Sequence, residues 1–301
     1  MDLETAYRSL RQELQVIYDP RESAQIAEMV MESLTGLTRS ERSVRYREAL
    51  SPEQLADWQR CQEELLQWRP VQYVVGMAWF QGMPFLVDES VLIPRPETEE
   101  LVEWICENAV SRVRLNENSD PSDPFRILDI GTGSGCIAVS LAKRLPQAEV
   151  WAMDVSKKAL ELAERNAHAL GAGIRFVQMD ILDPAAWDSL PVFDLIVSNP
   201  PYVLLADKQE MRNNVLAHEP HLALFVEGDD PLLFYRTIAA FAERRLAPGG
   251  LLFFEIHERM GDLMLDLLHE SGFTGLEVRR DLQEKPRMTK ALKPQARPLQ
   301  D

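Results

Sequence analysis

Residues 126–138 run Arg126-Ile127-Leu128-Asp129-Ile130-Gly131-Thr132-Gly133-Ser134-Gly135-Cys136-Ile137-Ala138. The run RILDI over 126–130 has the length and apolar character of a short buried strand. From Cys136 onward, CIAVSLAKRL changes to helical spacing, with Ile137, Ala138, Leu141 and Leu145 on one face. Between the two lie glycines at alternate positions. A strand, a glycine-rich turn and a helix in that order let a ligand come close to the backbone at the carboxyl edge of a parallel sheet. Outward from this unit, strands are expected over 148–154, 174–178, 193–198 and 250–256. Helices are expected over 156–170 and 231–246. Such alternation implies an α/β protein with a doubly wound, mostly parallel sheet and crossover helices. Two last strands, 272–281 and 287–292, read as an antiparallel edge.

The glycine spacing narrows the ligand. A dinucleotide fingerprint has glycine at its first, third and sixth positions, and here the sixth is Cys136. Gly131 to Gly135 instead form a G-x-G-x-G loop, the form seen in S-adenosylmethionine-dependent methyltransferases. The next strand, AEVWAMDVS, ends in Asp154, 19 positions after Gly135. A carboxylate there can accept hydrogen bonds from both ribose hydroxyls of a nucleoside. Gly131, Thr132, Gly133, Ser134, Gly135 and Asp154 are therefore the candidate cofactor residues. The bland alternative is a structural turn.

A second motif, Asn199-Pro200-Pro201-Tyr202, follows the apolar run 193–198. It fits a particular chemical problem, because the lone pair of an amide or ring amino nitrogen is delocalised and attacks poorly. Two acceptors on the two N–H bonds can turn that lone pair toward an electrophile. The Asn199 side-chain oxygen and the Pro200 carbonyl could be those acceptors. Two prolines fix φ and remove two competing donors, and Tyr202 could offer a flat face to a planar substrate group. Read alone, the tetrapeptide is equally a turn that ends a strand. Its position downstream of the glycine loop favours S-adenosylmethionine over a nicotinamide cofactor.

The chain has 301 residues, 46% of them hydrophobic, enough for one large and one small domain. Its formal charge of −16 repels phosphate backbones and favours a basic or neutral protein partner. The first residues show no signal pattern, and no uncharged apolar run has membrane-spanning length. Cys61, Cys106 and Cys136 are odd in number and far apart, which suits free thiols in a reducing cytoplasm. Residues 1–68 read as four or five helices, with starts at Asp19-Pro20-Arg21-Glu22 and Ser51-Pro52-Glu53-Gln54. Their stripes are Ile26, Met29, Val30 and Leu34, then Leu55, Trp58, Leu65 and Leu66. A hairpin is expected within 77–92, a helix over 97–110, a polar loop over 116–124 and a loose tail over 293–301. His218 and His221 have a proline between them and no evident third ligand, so no metal is expected.

Taken together, the motifs resemble those of the protein-(glutamine-N5) methyltransferases that modify peptide-chain release factors. The resemblance rests on Pro70-Val71-Gln72-Tyr73 with Gly76, on Val91-Leu92-Ile93-Pro94-Arg95-Pro96-Glu97-Thr98-Glu99, and on the loop, Asp154 and Asn199–Tyr202. Glu219-Pro220, Ala223-Leu224 and the Pro248-Gly249-Gly250 turn follow in family order. Asn-Pro-Pro-Tyr alone is shared with adenine and cytosine amino-methyltransferases. The IPRPETE stretch is more specific and separates this group from ribosomal-protein glutamine methyltransferases.

The resemblance implies a helical domain over 1–75 that docks the substrate protein, a hairpin linker over 76–95 and a class I methyltransferase domain over 96–301. It adds Asp180, Ile181 and Asn199 to the cofactor site. It assigns the substrate glutamine to Asn199, Pro200, Pro201 and Tyr202, with Arg95 and Glu97 shaping the pocket wall. Asn199, Pro200 and Tyr202 are the implied catalytic group. S-adenosylmethionine would leave as S-adenosylhomocysteine, and class 1 release factors would be the substrates of a cytoplasmic monomer with no nucleic-acid or membrane partner. The rivals are an N6-adenine methyltransferase on nucleic acid, a ribosomal-protein glutamine methyltransferase and a scaffold without turnover. The chain departs from the family at Glu255-Ile256-His257, where glycine usually follows, and over 281–287. His257 is expected at a strand-end surface.

Overall fold

The computed structural model describes residues 1–116, 124–204, 217–226 and 228–295. Most of the expected polar loop, 117–123, lies outside the described residues, as does 296–301 of the expected tail. The described chain forms two compact units. One holds residues 1–77 with Ala217 and His218, and the other holds the rest from Ala78. Among the described residues no helix is long and apolar enough to cross a membrane.

The first unit is helical: α1 (Leu3–Leu14), α2 (Pro20–Thr35), α3 (Arg39–Val44), α4 (Pro52–Leu66) and α5 (Val71–Val75). The first four begin on Asp2, Asp19, Thr38 and Ser51, whose side chains accept backbone N–H bonds from the first turn. At α4 the box closes in both directions, Gln54 N to Ser51 Oγ at 3.1 Å and Ser51 N to Gln54 Oε1 at 3.0 Å. Pro20 and Pro52 occupy the first helical position, where no N–H is needed. Leu10, Leu14, Val30, Met31 and Leu65 are wholly buried in one core. Trp58 joins them with its indole N–H on the Ala6 carbonyl at 3.2 Å. Leu66 leaves the expected stripe for solvent, because a helix turns neighbouring side chains about 100° apart.

At the boundary begins a hairpin, β1 (Met77–Phe80) and β2 (Met83–Leu86), and the second unit continues with α6 (Pro96–Asn116). There follow β3 (Arg126–Ile130), α7 (Cys136–Arg144), β4 (Glu149–Asp154), α8 (Lys157–Ala169), β5 (Ile174–Gln178) and β6 (Phe193–Ser198). Short strands β7 (Val203–Leu204) and β8 (Phe225–Val226) pair apart from the main sheet. Beyond the helix Leu233–Arg245 come β9 (Leu246–Glu255), β10 (Thr274–Arg280) and β11 (Pro286–Leu292).

The seven-stranded sheet has the order β10-β11-β9-β6-β3-β4-β5. All pairs from β9 to β5 are parallel, and β10 and β11 form the antiparallel edge. Both faces are covered, which is why the strands read as near-continuous apolar runs. Along β9, Leu251 and Phe253 face one core while Leu252 and Phe254 face the other. From β3 the chain moves outward through β4 and β5, then returns to β6 on the other side of β3. That reversal opens a crevice at the carboxyl ends of β3 and β6.

One helix, Gly261–Glu270, was not anticipated from the sequence. It buries Met264, Leu267 and Leu268 on the sheet, yet it starts after Met260 with no side-chain cap and with glycine in its first turn. Its start signal is absent, and tertiary burial supplies what local propensity lacks.

Candidate active site

Register brings the two motifs together. Ile130 pairs with Ser198 across β3 and β6, and Ser198 Oγ donates to the Ile130 carbonyl at 2.7 Å. Gly131 and Asn199 therefore leave adjacent strands at the same level. On the other side, the Gly131 and Thr132 amides donate to the Met153 carbonyl at 2.8 and 3.0 Å, which ties the loop to the end of β4.

Within the loop, Gly131, Gly133 and Gly135 have φ of 74°, 55° and 80°, a region that L side chains rarely enter. A Cβ at Gly131 or Gly133 would meet nothing within 4 Å, so open space lies beside the backbone. At Gly135 it would come within 3.1 Å of Ala163 Cβ, so α7 and α8 pack through this glycine. Beneath the loop, Thr132 Oγ1 donates to Asp129 Oδ2 at 2.6 Å. Asp129 is fully buried, and burial raises its carboxyl to about 7 against the pull of the Thr132 bond. The sequence alone gives Asp129 a strand position and no role. Its contact identifies it as the anchor of the loop.

Asp154 ends β4 and accepts from Gly133 N at 3.0 Å and from Ser156 N at 2.9 Å. Burial raises its carboxyl, and these amides oppose the rise. A carboxylate has about four acceptor sites, so two bonds leave capacity for ribose hydroxyls. Asp180, just past β5, accepts from Leu182 N at 2.9 Å, and the Trp187 indole N–H holds the Ile181 carbonyl at 3.0 Å.

A cavity of about 790 Å³ spans these strand ends. Gly131, Thr132, Gly133, Ser134, Asp154, Asp180, Ile181, Asn199, Pro200, Pro201 and Arg95 line it. Gly135, Glu97 and Tyr202 stand outside its lining. The Tyr202 ring lies 5.7 Å from the His257 ring in a tilted contact, and burial raises its hydroxyl to about 12. Tyr202 thus packs on its own fold, against His257, which stands partly exposed just past the end of β9. Arg95 Nη2 donates to both Glu219 oxygens at 2.7 and 2.8 Å, and Glu219 is buried. That pair draws the Glu219-Pro220 segment onto the start of α6.

Asn199 has a neighbour that the sequence did not reveal. Its Nδ2 lies 3.5 Å from Thr98 Oγ1, and Thr98 Oγ1 donates to Glu255 Oε2 at 2.5 Å. Thr98 sits in the recognised IPRPETE stretch, but nothing in the sequence joins it to Glu255. Asn166 likewise carries no sequence signal of its contacts. Its Oδ1 accepts from Leu86 N at 2.7 Å, and its Nδ2 donates to the Leu86 and Ser134 carbonyls at 3.0 and 2.9 Å. One α8 side chain thereby fastens the hairpin to the glycine loop.

The cavity suits a nucleoside-bearing sulfonium. Open space stands over Gly131 and Gly133, and acidic acceptors stand at the ends of β4 and beyond β5. A seven-stranded sheet of this order with such a loop defines a class I S-adenosylmethionine-dependent methyltransferase. Residues 114–229 match the Methyltransferase small domain and residues 5–76 the PrmC N-terminal domain. The release factor glutamine methyltransferase of Flavobacterium psychrophilum is 43% identical over 93% of this chain and 95% of its own length. That of Bacteroides thetaiotaomicron is 40% identical over 95% and 98%. The chain belongs to the release factor glutamine methyltransferase family. Among solved structures, the catalytic domain of hMettl16 superposes with a TM-score of 0.53 at 16% identity, covering 85% of this chain and 87% of that one, a likeness of fold.

Proposed function

We propose that this protein transfers a methyl group from S-adenosylmethionine to the side-chain N5 of the glutamine in the Gly-Gly-Gln motif of class 1 peptide-chain release factors. One observation carries the reading: Asn199 and Pro200 share a single cavity with the glycine loop and Asp154. The relatives' names supply the substrate protein. When bound, S-adenosylmethionine supplies a methyl group made electrophilic by its sulfonium.

The open space over Gly131 and Gly133, together with Asp154, Asp180 and Ile181, would hold the nucleoside. Asn199 Oδ1 and the Pro200 carbonyl each accept one N–H of the substrate amide. Both acceptors stabilise the charge that develops on nitrogen as it loses planarity. The crevice also orients the reacting groups, a large part of the rate gain. The methylated, non-planar nitrogen is strongly acidic, so the proton leaves without a dedicated base. Pro201 shapes the substrate side of the cavity, Arg95 holds its wall through Glu219, and Tyr202, packed on His257, backs the segment that carries Asn199.

We assign residues 1–75 to docking of the release factor, 76–95 to a linker and 96–301 to catalysis. The protein works as a cytoplasmic monomer and needs no nucleic acid. The test offers labelled S-adenosylmethionine with purified release factor, either intact or with its Gly-Gly-Gln glutamine replaced by asparagine. Label should enter the intact protein alone. Label in oligonucleotides or in ribosomal protein, and none in release factor, would overturn the reading.

A further inference from the structure

We infer that Thr98 and Glu255 are positioning residues: a hydrogen-bond chain from Glu255 through Thr98 sets which end of the Asn199 carboxamide faces the cavity. This inference rests on the methyl-transfer reading above and deepens it.

Thr98 lies in the first turn of α6 and Glu255 closes β9. Both are buried, at 3% and 2% exposure. A hydroxyl carries one proton, and an ionised carboxylate only accepts. At 2.5 Å the Thr98 proton is committed to Glu255 Oε2, so Thr98 offers Asn199 nothing but lone pairs. Asn199 must then turn its NH₂ toward Thr98, and Nδ2 is the atom found 3.5 Å away. Its oxygen is left for the cavity, as acceptance of a substrate N–H requires. The two ends of a carboxamide have nearly the same shape, so the hydrogen-bond network decides its orientation. The second acceptor, the Pro200 carbonyl, belongs to the backbone and needs no such device.

The chain also has a direction that can reverse. Facing Glu255 are Arg287 from β11, Arg95 and Glu97 at the start of α6, Tyr202 beyond β6, Tyr235 from the helix Leu233–Arg245, and Cys136 at the start of α7. The two tyrosines and the thiol are all raised above their ordinary values and stay neutral at physiological pH. Burial outweighs the Thr98 bond and the arginine charges, and it lifts the Glu255 carboxyl to about 7. A protonated Glu255 can donate to Thr98 and so release the Thr98 proton toward Asn199. Asn199 would then present NH₂ to the cavity, a donor facing the donor of the substrate.

The experiment measures kcat, KM for release factor and calorimetric affinity for S-adenosylmethionine in wild type, Thr98→Ser, Thr98→Val and Glu255→Gln. Thr98→Val should lose roughly tenfold to a hundredfold in kcat, the scale of a misplaced reacting group. Its KM and cofactor affinity should stay within about threefold of wild type, the pattern of an interaction realised in the transition state. Thr98→Ser should recover most of kcat. In wild type, kcat should fall as pH drops through about 7, and Glu255→Gln should lack that limb. Wild-type kcat in Thr98→Val, an equal loss in Thr98→Ser, or cofactor affinity falling in parallel with kcat would each sink the chain while leaving the substrate reading intact. A wild-type protein that binds cofactor yet leaves release factor unlabelled would sink the substrate reading and the chain together.

Discussion

Asn199 owes its place in the cavity to the residue before it. Ser198 is the last residue of β6 and is bonded to Ile130 of β3, so the next side chain emerges beside the glycine loop. Asn199→Ala should lower kcat by roughly a hundredfold, the effect of losing one preorganised stabilising group. Its affinity for S-adenosylmethionine should fall by much less than kcat in calorimetry, since Asn199 is one of several residues around the cofactor. Asp154→Ala should instead weaken cofactor binding by roughly tenfold or more, because hydrogen bonds to a charged acceptor are lost; titration calorimetry separates the two effects. That the loop, Asp154 and Asn199 share one cavity was legible in the sequence, since each is a residue type at a fixed distance from a strand end. Thr98 could not be given its role, because 101 residues separate it from Asn199 and 157 from Glu255.

Elements in this unit are tied at a few buried points. Gly135 combines a φ of 80° with a Cβ position 3.1 Å from Ala163 on α8. Gly135→Ala should therefore cost about 1–3 kcal/mol, the strain of a left-handed residue plus the forced contact, read as a lower urea midpoint. Asn166 makes three bonds at 1% exposure, to both polar atoms of Leu86 and to the Ser134 carbonyl. Asn166→Ala strands those groups and should cost about 3 kcal/mol or more, with cofactor affinity falling as the loop loosens. Denaturation curves with and without S-adenosylmethionine would show both effects. Most elements were legible from period and caps. The helix Gly261–Glu270 was not, because it has no capping side chain and depends on the sheet beneath it.

For the molecule as a whole, buried carboxyls govern the response to pH. Asp129 and Glu255 are both raised to about 7 by burial. Each binds its proton more tightly folded than unfolded. Its stabilising contribution is thus complete below the unfolded carboxyl range near 4 and is lost as pH rises toward the folded value. Relative to Glu255→Gln, wild type should lose stability between about pH 4 and 7 and level off above; chemical denaturation at a series of pH values checks it. Carboxyls lowered by partners, such as Glu258 beside Lys285 and Glu103 beside Arg144, act in the opposite sense. The comparison with the variant isolates the Glu255 share.

Short-range rules sufficed for most of the architecture and for the glycine loop. Strand period, helix period, capping residues and glycine spacing are properties of contiguous residues, and here they agree with one another. The hydrogen-bond partners of Asn199 lay beyond such rules. Glu255 reaches Thr98 because the strand order sets β9 beside β6 and packs α6 against β9, a result of burying both sheet faces at once. The same packing turns Tyr202 onto His257 and pairs Arg95 with Glu219. A spacing rule cannot see these contacts, since each joins residues whose separation along the chain carries no periodic signal.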